Sequence, residues 1–401
     1  MTDEQNGFSV AGHWAGKFDE AGLQAWASAL RARLHAPQVS MGLVFMSPRF
    51  FSQAATVLEL FRVHAQIPLL IGCSGNWLIA GDEEIEENAG VVLGLYHLPG
   101  ANLKACHFTQ AEVEEASGPA YWHTATGVGP KETSGWLAFA DPFHMDCEAW
   151  LREWNEAYAP LPVFGGLASG PSNEAGTQLY LNGDVFDEGG VAVAISGDTR
   201  LEGVVSQGCT PIGDIWTITR SERNVVFQIA NRRAYDVLAE TFNQLPPDEQ
   251  RKARDNLFVG LVANEYLEEF HRGDFLIRNL MAADPGSGAL AVGALPRIGQ
   301  SIQFQRRDAA TATADITGLL QHKKERLGSQ RIFGGLLCSC NGRGQRLFKE
   351  PSHDVRHVRE VLGPFGLTGF FGNGEIGPIG QKSFLHGFTA SLALFVGKQE
   401  A

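Results

Sequence analysis

The chain has 401 residues, 44% of them apolar, and a formal net charge of −13 at pH 7. That length supports more than one core and that apolar share excludes a disordered chain. The acidic balance, without a clustered Lys/Arg footprint, argues against a nucleic-acid surface, and no apolar run reaches the roughly 18 residues of a spanning helix.

Residues 1–6 are polar and acidic, unlike a secretory leader, which sets the expectation of a cytoplasmic protein. Residues 1–38 read as a tail followed by a helix, because apolar side chains recur at helical spacing over 18–34. A pattern then appears three times: apolar strand, helix, strand ending in a Gly-rich turn, and a further strand. The first copy covers 42–47, 51–65, 69–75 and 90–96. The second covers 136–140, 146–158, 162–170 and 190–195, with Asn182-Gly183-Asp184 as a hairpin turn between short strands. The third covers 335–340, 352–362, 368–375 and 388–395. The stretch 292–305 echoes 207–219, each with Gly, Pro, Ile-Gly and then an alternating strand.

These patterns predict an α+β protein of two related domains, with mixed β-sheets flanked by helices and built from repeated βαββ-like units. The expected division is 1–38 tail and helix, 39–231 first domain, and 232–395 second, ligand-binding domain. Several Gly-rich turns at strand ends let backbone approach a ligand closely.

The third copy holds the densest polar cluster. Cys338-Ser-Cys340 leads into Asn341-Gly-Arg343, and the next strand ends in Asn373-Gly374-Glu375. If both strand ends share one sheet edge, Arg343 and Glu375 lie beside the cysteine pair. The guanidinium fork suits a carboxylate and Glu375 suits an ammonium group, so a bipolar small molecule is the expected ligand. The structural alternative is an Arg343–Glu375 salt bridge that fixes two loops. Cys73, Ser74 and Gly75 occupy the matching turn of the first copy, and Gly165 and Gly166 that of the second. None has the spacing of a nucleophile elbow or a phosphate loop. Gln207 and His386 complete the candidate contacts.

Six cysteines, at 73, 106, 147, 209, 338 and 340, include no C-x-x-C pair, so neither a disulfide framework nor a zinc site is expected. The carboxylates of 82–87 read as a solvated loop. His353 and His357 stand four apart on a predicted helix, and with His97, His107 and His386 they are the candidates for a haem ligand. No cofactor is predicted from the residues themselves, haem being the alternative.

The chain resembles the FIST sensory family from about residue 39 to 395. The motifs that carry the resemblance are Gly72-Cys-Ser-Gly75, Phe164-Gly-Gly-Leu-Ala-Ser-Gly170, Asn182-Gly-Asp184 and Gln207-Gly-Cys-Thr-Pro-Ile-Gly213 in the FIST N half. In the FIST C half they are Cys340-Asn-Gly-Arg-Gly344, Gly372-Asn-Gly-Glu-Ile-Gly-Pro378 and His386-Gly-Phe-Thr389. The resemblance implies a sensory, signal-transducing protein that binds a small ligand of amino-acid type. It also implies a standalone sensor that hands its signal to a separate protein such as a kinase or receptor. Some members resemble haem-binding nitric-oxide sensors, which makes a haem gas sensor the alternative function. A Cys-dependent enzyme using Cys338 or Cys340 is the second alternative.

Overall fold

The structure is a computed structural model that describes residues 7–171, 176–254 and 256–398. The polar start, residues 1–6, lies outside the described residues. Contacts group the chain into two compact units. One combines Met1–Val205 with Thr317–Ala401, and the other is Ser206–Ile316.

The first unit contains the threefold pattern read from the sequence. Among the described residues it forms three six-stranded mixed sheets with the same strand order. In the first repeat, Met41–Met46 runs parallel to Leu70–Ser74 across the helix Ala54–His64, and Val91–Tyr96 returns antiparallel beside Met41–Met46. The second repeat places Gly135–Ala140, Val163–Leu167 and Gly190–Gly197 identically. The third does so with Ile332–Cys340, Leu367–Gly372 and Ala390–Gly397. Each repeat also begins with a strand that pairs beside its own last strand. In the first repeat that strand is Ser9–Trp14, inside the stretch that reads as tail and helix from sequence. The expected helix follows as Glu20–Arg33.

Each repeat sends a hairpin to another repeat's sheet. The first repeat's hairpin, Leu78–Ala80 with Glu83–Ile85, extends the third sheet beside Leu367–Gly372. The second repeat's Leu179–Leu181 and Asp184–Phe186 extend the first sheet beside Leu70–Ser74. The third repeat's Gly374–Ile379 and Lys382–His386 extend the second sheet beside Val163–Leu167. The exchange covers the open edge of every parallel pair, which would otherwise offer unpaired N–H and C=O groups. Asn182 turns the second hairpin with φ +56°, a conformation asparagine tolerates.

One glycine recurs for one reason. Gly72, Gly165 and Gly369 sit opposite Val44, Ala138 and Leu337 on the parallel neighbour. A Cβ on any of them would lie 1.7 to 1.8 Å from that neighbour's carbonyl oxygen. The backbone crossing admits no side chain there.

The second unit follows the third repeat's first strand, Thr199–Ser206, in the chain and ends within the helix Ala309–Leu327. Its strands Cys209–Glu222, Ser301–Arg307, Leu257–Val262, Phe275–Asp284, Ala289–Val292 and Val225–Ile229 pair antiparallel in that order. The last pairs back to the first, closing a barrel. Ile218, Val226, Val259, Leu290, Ile302 and Phe304 belong to its core. The echoing stretches 207–219 and 292–305 contribute adjacent strands of this barrel, paired from Cys209 opposite Arg307 to Thr217 opposite Ser301.

Candidate functional site

Internal symmetry lets each repeat serve as a control for the others. The residues after the three crossing glycines are Cys73, Gly166 and Phe370. Through the strand registers, each belongs to a row across its sheet. The first row is Val92, Phe45, Cys73 and Leu179. The second is Val191, Phe139, Gly166 and Glu375. The third is Ser391, Cys338, Phe370 and Leu78. All twelve are buried. Phe45, Phe139 and Phe370 meet at the centre, with ring centroids 4.9 to 5.8 Å apart.

The polar exceptions involve segments of the third repeat. Glu375 is a buried carboxylate at the position where the other two hairpins place Leu78 and Leu179. Its Oε2 accepts from the Thr389 backbone N–H at 3.0 Å. Ser391 replaces the valines of the other rows, and its hydroxyl donates to the Ile376 carbonyl at 2.8 Å. Burial, and then the charge of Glu375, push the Cys338 thiol well above its ordinary range. Burial likewise raises Cys73, with Cys338 as the next contribution. Both thiols are fully buried and their thiolates disfavoured, the opposite of an activated nucleophile.

A second cluster lies where the third repeat's parallel strands end. Cys340 stands opposite Gly372, so the loops that follow share one sheet edge, as the sequence pattern implies. Arg343 is wholly buried, but its carboxylate partner is Asp354, on the helix His353–Leu362. Arg343 Nε donates to Asp354 Oδ2 at 2.7 Å and Nη2 to Oδ1 at 2.8 Å. The fork that the sequence reading aimed at a ligand is therefore filled by the protein. The remaining nitrogen, Nη1, is buried with no hydrogen-bond partner among the described residues. The guanidinium also lies over the Phe348 ring, 5.2 Å from its centroid, and His353 stacks on that ring at 3.4 Å.

Glu84 closes this cluster from the exchanged hairpin. Its Oε1 accepts from the backbone N–H groups of Asp354 and Val355 at 2.8 and 3.1 Å, capping the helix where its dipole favours negative charge. Its Oε2 is buried with no hydrogen-bond partner among the described residues. Glu86 accepts from the Gln345 N–H at the start of the preceding short helix, Gln345–Phe348. The acidic stretch 82–87 thus contains the strand Glu83–Ile85, and while Asp82, Glu83 and Glu87 are exposed, Glu84 and Glu86 cap helix starts. Glu83 is exposed, whereas Glu84 is buried against the helix start and Ile85, on the opposite face, packs in the core. Burial, and then Asp354, raise the Glu84 carboxyl to about 8. Burial opposes ionisation of Asp354 too, but Arg343 and the His353 hydrogen bond hold it well below the usual carboxylate range.

The other sequence candidates fall around these clusters. The Ser74 hydroxyl donates to the Ser169 carbonyl at 2.9 Å, and Ser169 Oγ donates to the Phe371 carbonyl at 2.6 Å, tying the three strand ends together. Gly75 and Gly374 pack closely, their would-be Cβ atoms 2.8 and 2.9 Å from Phe370 and Leu385. Asn373 is exposed and accepts from Asn341 Nδ2 at 3.0 Å, while Cys340 is half-buried beside them. His386 stands opposite Glu375, and its Nε2 donates to the Gly377 carbonyl at 3.0 Å. Gln207 belongs to the inserted unit, where its carbonyl accepts from the Cys209 thiol. His353 and His357 do share one helix face, with ring centroids 4.4 Å apart. His97 stacks on Phe8 and His107 on Phe186. Among the described residues, no three His, Cys, Asp or Glu side chains cluster as a metal site. No described helix is long and apolar enough to cross a membrane.

Sequence reasoning missed Asp354 and Glu84. Asp354 was legible as an acidic residue in the first turn of a predicted helix, and nothing in the sequence separated Glu84 from the neighbouring carboxylates.

Comparison with known proteins agrees with the repeat motifs. The FIST N domain model matches residues 40–232 and the FIST C domain model matches 234–378. The uncharacterized protein Mb0898c of Mycobacterium bovis is 34% identical over 383 residues, covering 95% of this chain and 96% of its own. The uncharacterized protein MT0656 of Mycobacterium tuberculosis is 35% identical over 346 residues, covering 86% and 88%. With both family models in sequence and relatives aligned almost end to end, the chain belongs to the FIST family, as a FIST N domain followed by a FIST C domain.

Proposed function

We propose that this protein is a small-ligand sensor whose binding site is built by the third repeat around Arg343, and that it signals through a separate partner protein. FIST domains are associated with signal transduction and small-ligand sensing. The observation that carries the reading is Arg343 Nη1, a fully buried cationic nitrogen with no hydrogen-bond partner among the described residues. A buried donor left unmatched costs about 1 to 3 kcal/mol, so a ligand oxygen that accepts from it gains a preorganised, water-excluded contact. Cys340, Asn341 and Asn373 stand at the strand ends from which the Arg343 loop departs, and the Arg346 guanidinium lies over Trp77, 4.5 Å from its ring centroid. Glu375 lies beside Cys338, on the other face of the sheet from Arg343, and is a separate candidate contact for a ligand.

Because Asp354 already balances the Arg343 charge, the ligand offers an acceptor oxygen without needing a net negative charge. Amino acids and their amides are the first class to test. A thermal-shift screen of these compounds reads the outcome, since a ligand at about 100 times its Kd adds roughly 2.7 kcal/mol of stability. The same screen with haemin and an absorbance scan tests the gas-sensor alternative. Absence of any shift, or a shift that survives in an Arg343→Lys variant that still folds, removes Arg343 from the site.

A further inference from the structure

We infer that Glu84 is the second donor of the Arg343 site: its carboxyl group carries a proton and hydrogen-bonds through it to the acceptor group that Arg343 Nη1 also meets. The inference rests on the reading that this site takes a small ligand. It adds the group that is recognised, a carbonyl or carboxylate oxygen rather than an ammonium, and makes recognition depend on one proton.

The register of the three exchanged hairpins isolates Glu84. Leu78 stands opposite Ile85, Leu179 opposite Phe186 and Glu375 opposite His386, so Glu84, Val185 and Leu385 occupy equivalent positions. Val185 and Leu385 pack against the apolar clusters of the repeats they join. The architecture accepts an apolar side chain at this position, yet the first repeat's hairpin brings a carboxyl group there and buries it to 6% exposure.

Glu84 and Arg343 converge on one helix start. Glu84 Oε1 accepts from the Asp354 and Val355 N–H groups, while Arg343 holds the Asp354 side chain through Nε and Nη2. Each side chain lies within the other's electrostatic reach. Each also keeps one buried polar atom with no hydrogen-bond partner among the described residues, Oε2 on Glu84 and Nη1 on Arg343. Buried polar atoms left unmatched are costly, and a ligand that matches both removes two penalties at once.

Charge fixes the direction of the Glu84 bond. Asp354 already balances Arg343, so an ionised Glu84 would be a further negative charge out of water. Asp354 faces Glu84 from the helix and Arg343 faces it from the loop, while His353 is hydrogen-bonded to Asp354. The neighbouring strand Leu78–Ala80 brings no charge. Burial and then Asp354 raise the carboxyl to about 8, so the group is protonated at neutral pH. Because Oε1 accepts from two N–H groups, the proton resides on Oε2 and makes it a donor. Nη1 and Oε2 are then both donors, which an oxygen acceptor matches and an ammonium does not.

The test uses acetamide and acetate as acceptor probes and ethylammonium as a probe with donors only. Thermal shifts are titrated between about pH 6 and about pH 9, each read against the same protein without probe at that pH. Both acceptor probes should shift the wild type at about pH 6, and ethylammonium should not. Above about 8 their Kd should rise about tenfold per pH unit, as expected when binding requires one proton. Glu84→Gln keeps an oxygen for the two backbone amides and an N–H for the probe, so it should bind comparably and lose the pH dependence. A second readout needs no probe: the infrared carbonyl stretch of a protonated carboxyl should disappear with a midpoint near 8 and be missing from Glu84→Gln. Absence of that band overturns the inference and leaves the ligand reading untouched. Wild-type affinity that is flat with pH overturns it, as does a folded Glu84→Gln variant that no longer binds. No shift with either acceptor probe overturns it as well, whereas an amino-acid shift that Arg343→Lys abolishes keeps the Arg343 site. If neither the probes nor the amino acids shift the protein at any pH, the ligand reading falls and this contact with it.

Discussion

Arg343 and Asp354 form two parallel charge-assisted hydrogen bonds, 2.7 and 2.8 Å long, with both side chains out of water. The pair joins the loop after one strand to the first turn of the following helix, and Glu84 of another repeat caps that same turn. Loop, helix and exchanged hairpin therefore share one electrostatic unit, and anything that binds Arg343 acts on all three.

Removing one member of this pair should be far more damaging than removing both. Asp354→Asn leaves a buried guanidinium without its counter-charge, and a loss of about 3 to 5 kcal/mol is expected. Arg343→Met combined with Asp354→Leu should recover most of that stability while abolishing the ligand-induced thermal shift. Urea denaturation of Arg343→Met, Asp354→Leu and the double variant measures the coupling. Additive losses would mean that the pair contributes no mutual stabilisation.

Glu84 makes stability depend on pH in a defined direction. Its folded carboxyl titrates at about 8, above the ordinary 4.5, so the native state holds a proton that the unfolded chain has released. The contribution is full below about 4.5 and declines as pH rises towards about 8, at no more than about 1.4 kcal/mol per pH unit. Glu84→Gln keeps a carbonyl oxygen for the Asp354 and Val355 amides and removes the titration. Its urea midpoint should vary less than the wild type's between about pH 5 and about pH 8. Parallel pH profiles for the two proteins would rule Glu84 out as the source. Asp354 acts at the other end. Its folded carboxyl titrates below its ordinary 3.8, so its contribution is lost only as pH falls below that value.

The crossing glycines should be intolerant of even one methyl group. In Gly72→Ala the new Cβ would stand 1.7 Å from the Val44 carbonyl oxygen, and in Gly369→Ala 1.8 Å from that of Leu337. Backbone must separate at a parallel pairing, so a loss of more than about 3 kcal/mol or insoluble expression is expected. Gly387→Ala is the control, because nothing lies within 4 Å of its would-be Cβ. Wild-type melting in Gly72→Ala would refute the close approach.

The repeats were legible because each one is local: a strand, a helix and a strand follow one another, and the glycine that permits their contact is in the sequence. The hairpin exchange was not legible, since Leu78, Leu179 and Glu375 each pair with a strand from another repeat, and pattern alone carries no partner. Arg343 and Glu375 could be placed at one sheet edge from strand order. That Asp354 rather than Glu375 fills the fork depends on which way a helix start faces. Five carboxylates within 82–87 look solvated by composition, and Asp82, Glu83 and Glu87 are exposed, but the exchanged hairpin lays Glu84 against a helix start of another repeat, a partner that composition does not name.

Glu375 provides the sharpest separation of function from fold. The other two hairpins fill the equivalent buried position with Leu78 and Leu179, so the architecture itself accepts an apolar side chain there. A carboxylate in that place pays desolvation that leucine does not, offset in part by the Thr389 N–H. Glu375→Leu should therefore fold and equal or exceed the wild type in stability, by up to about 4 kcal/mol if burial of the charge is the main cost. A ligand-induced thermal shift that depends on Glu375 should be lost in this variant, whereas one that depends on Arg343 should persist, since the two side chains lie on opposite faces of the sheet. The variant must be read by both denaturation and ligand titration. A large destabilisation with binding intact would make Glu375 a structural carboxylate, and the polar centre of the three sheets would then have to be explained by packing alone.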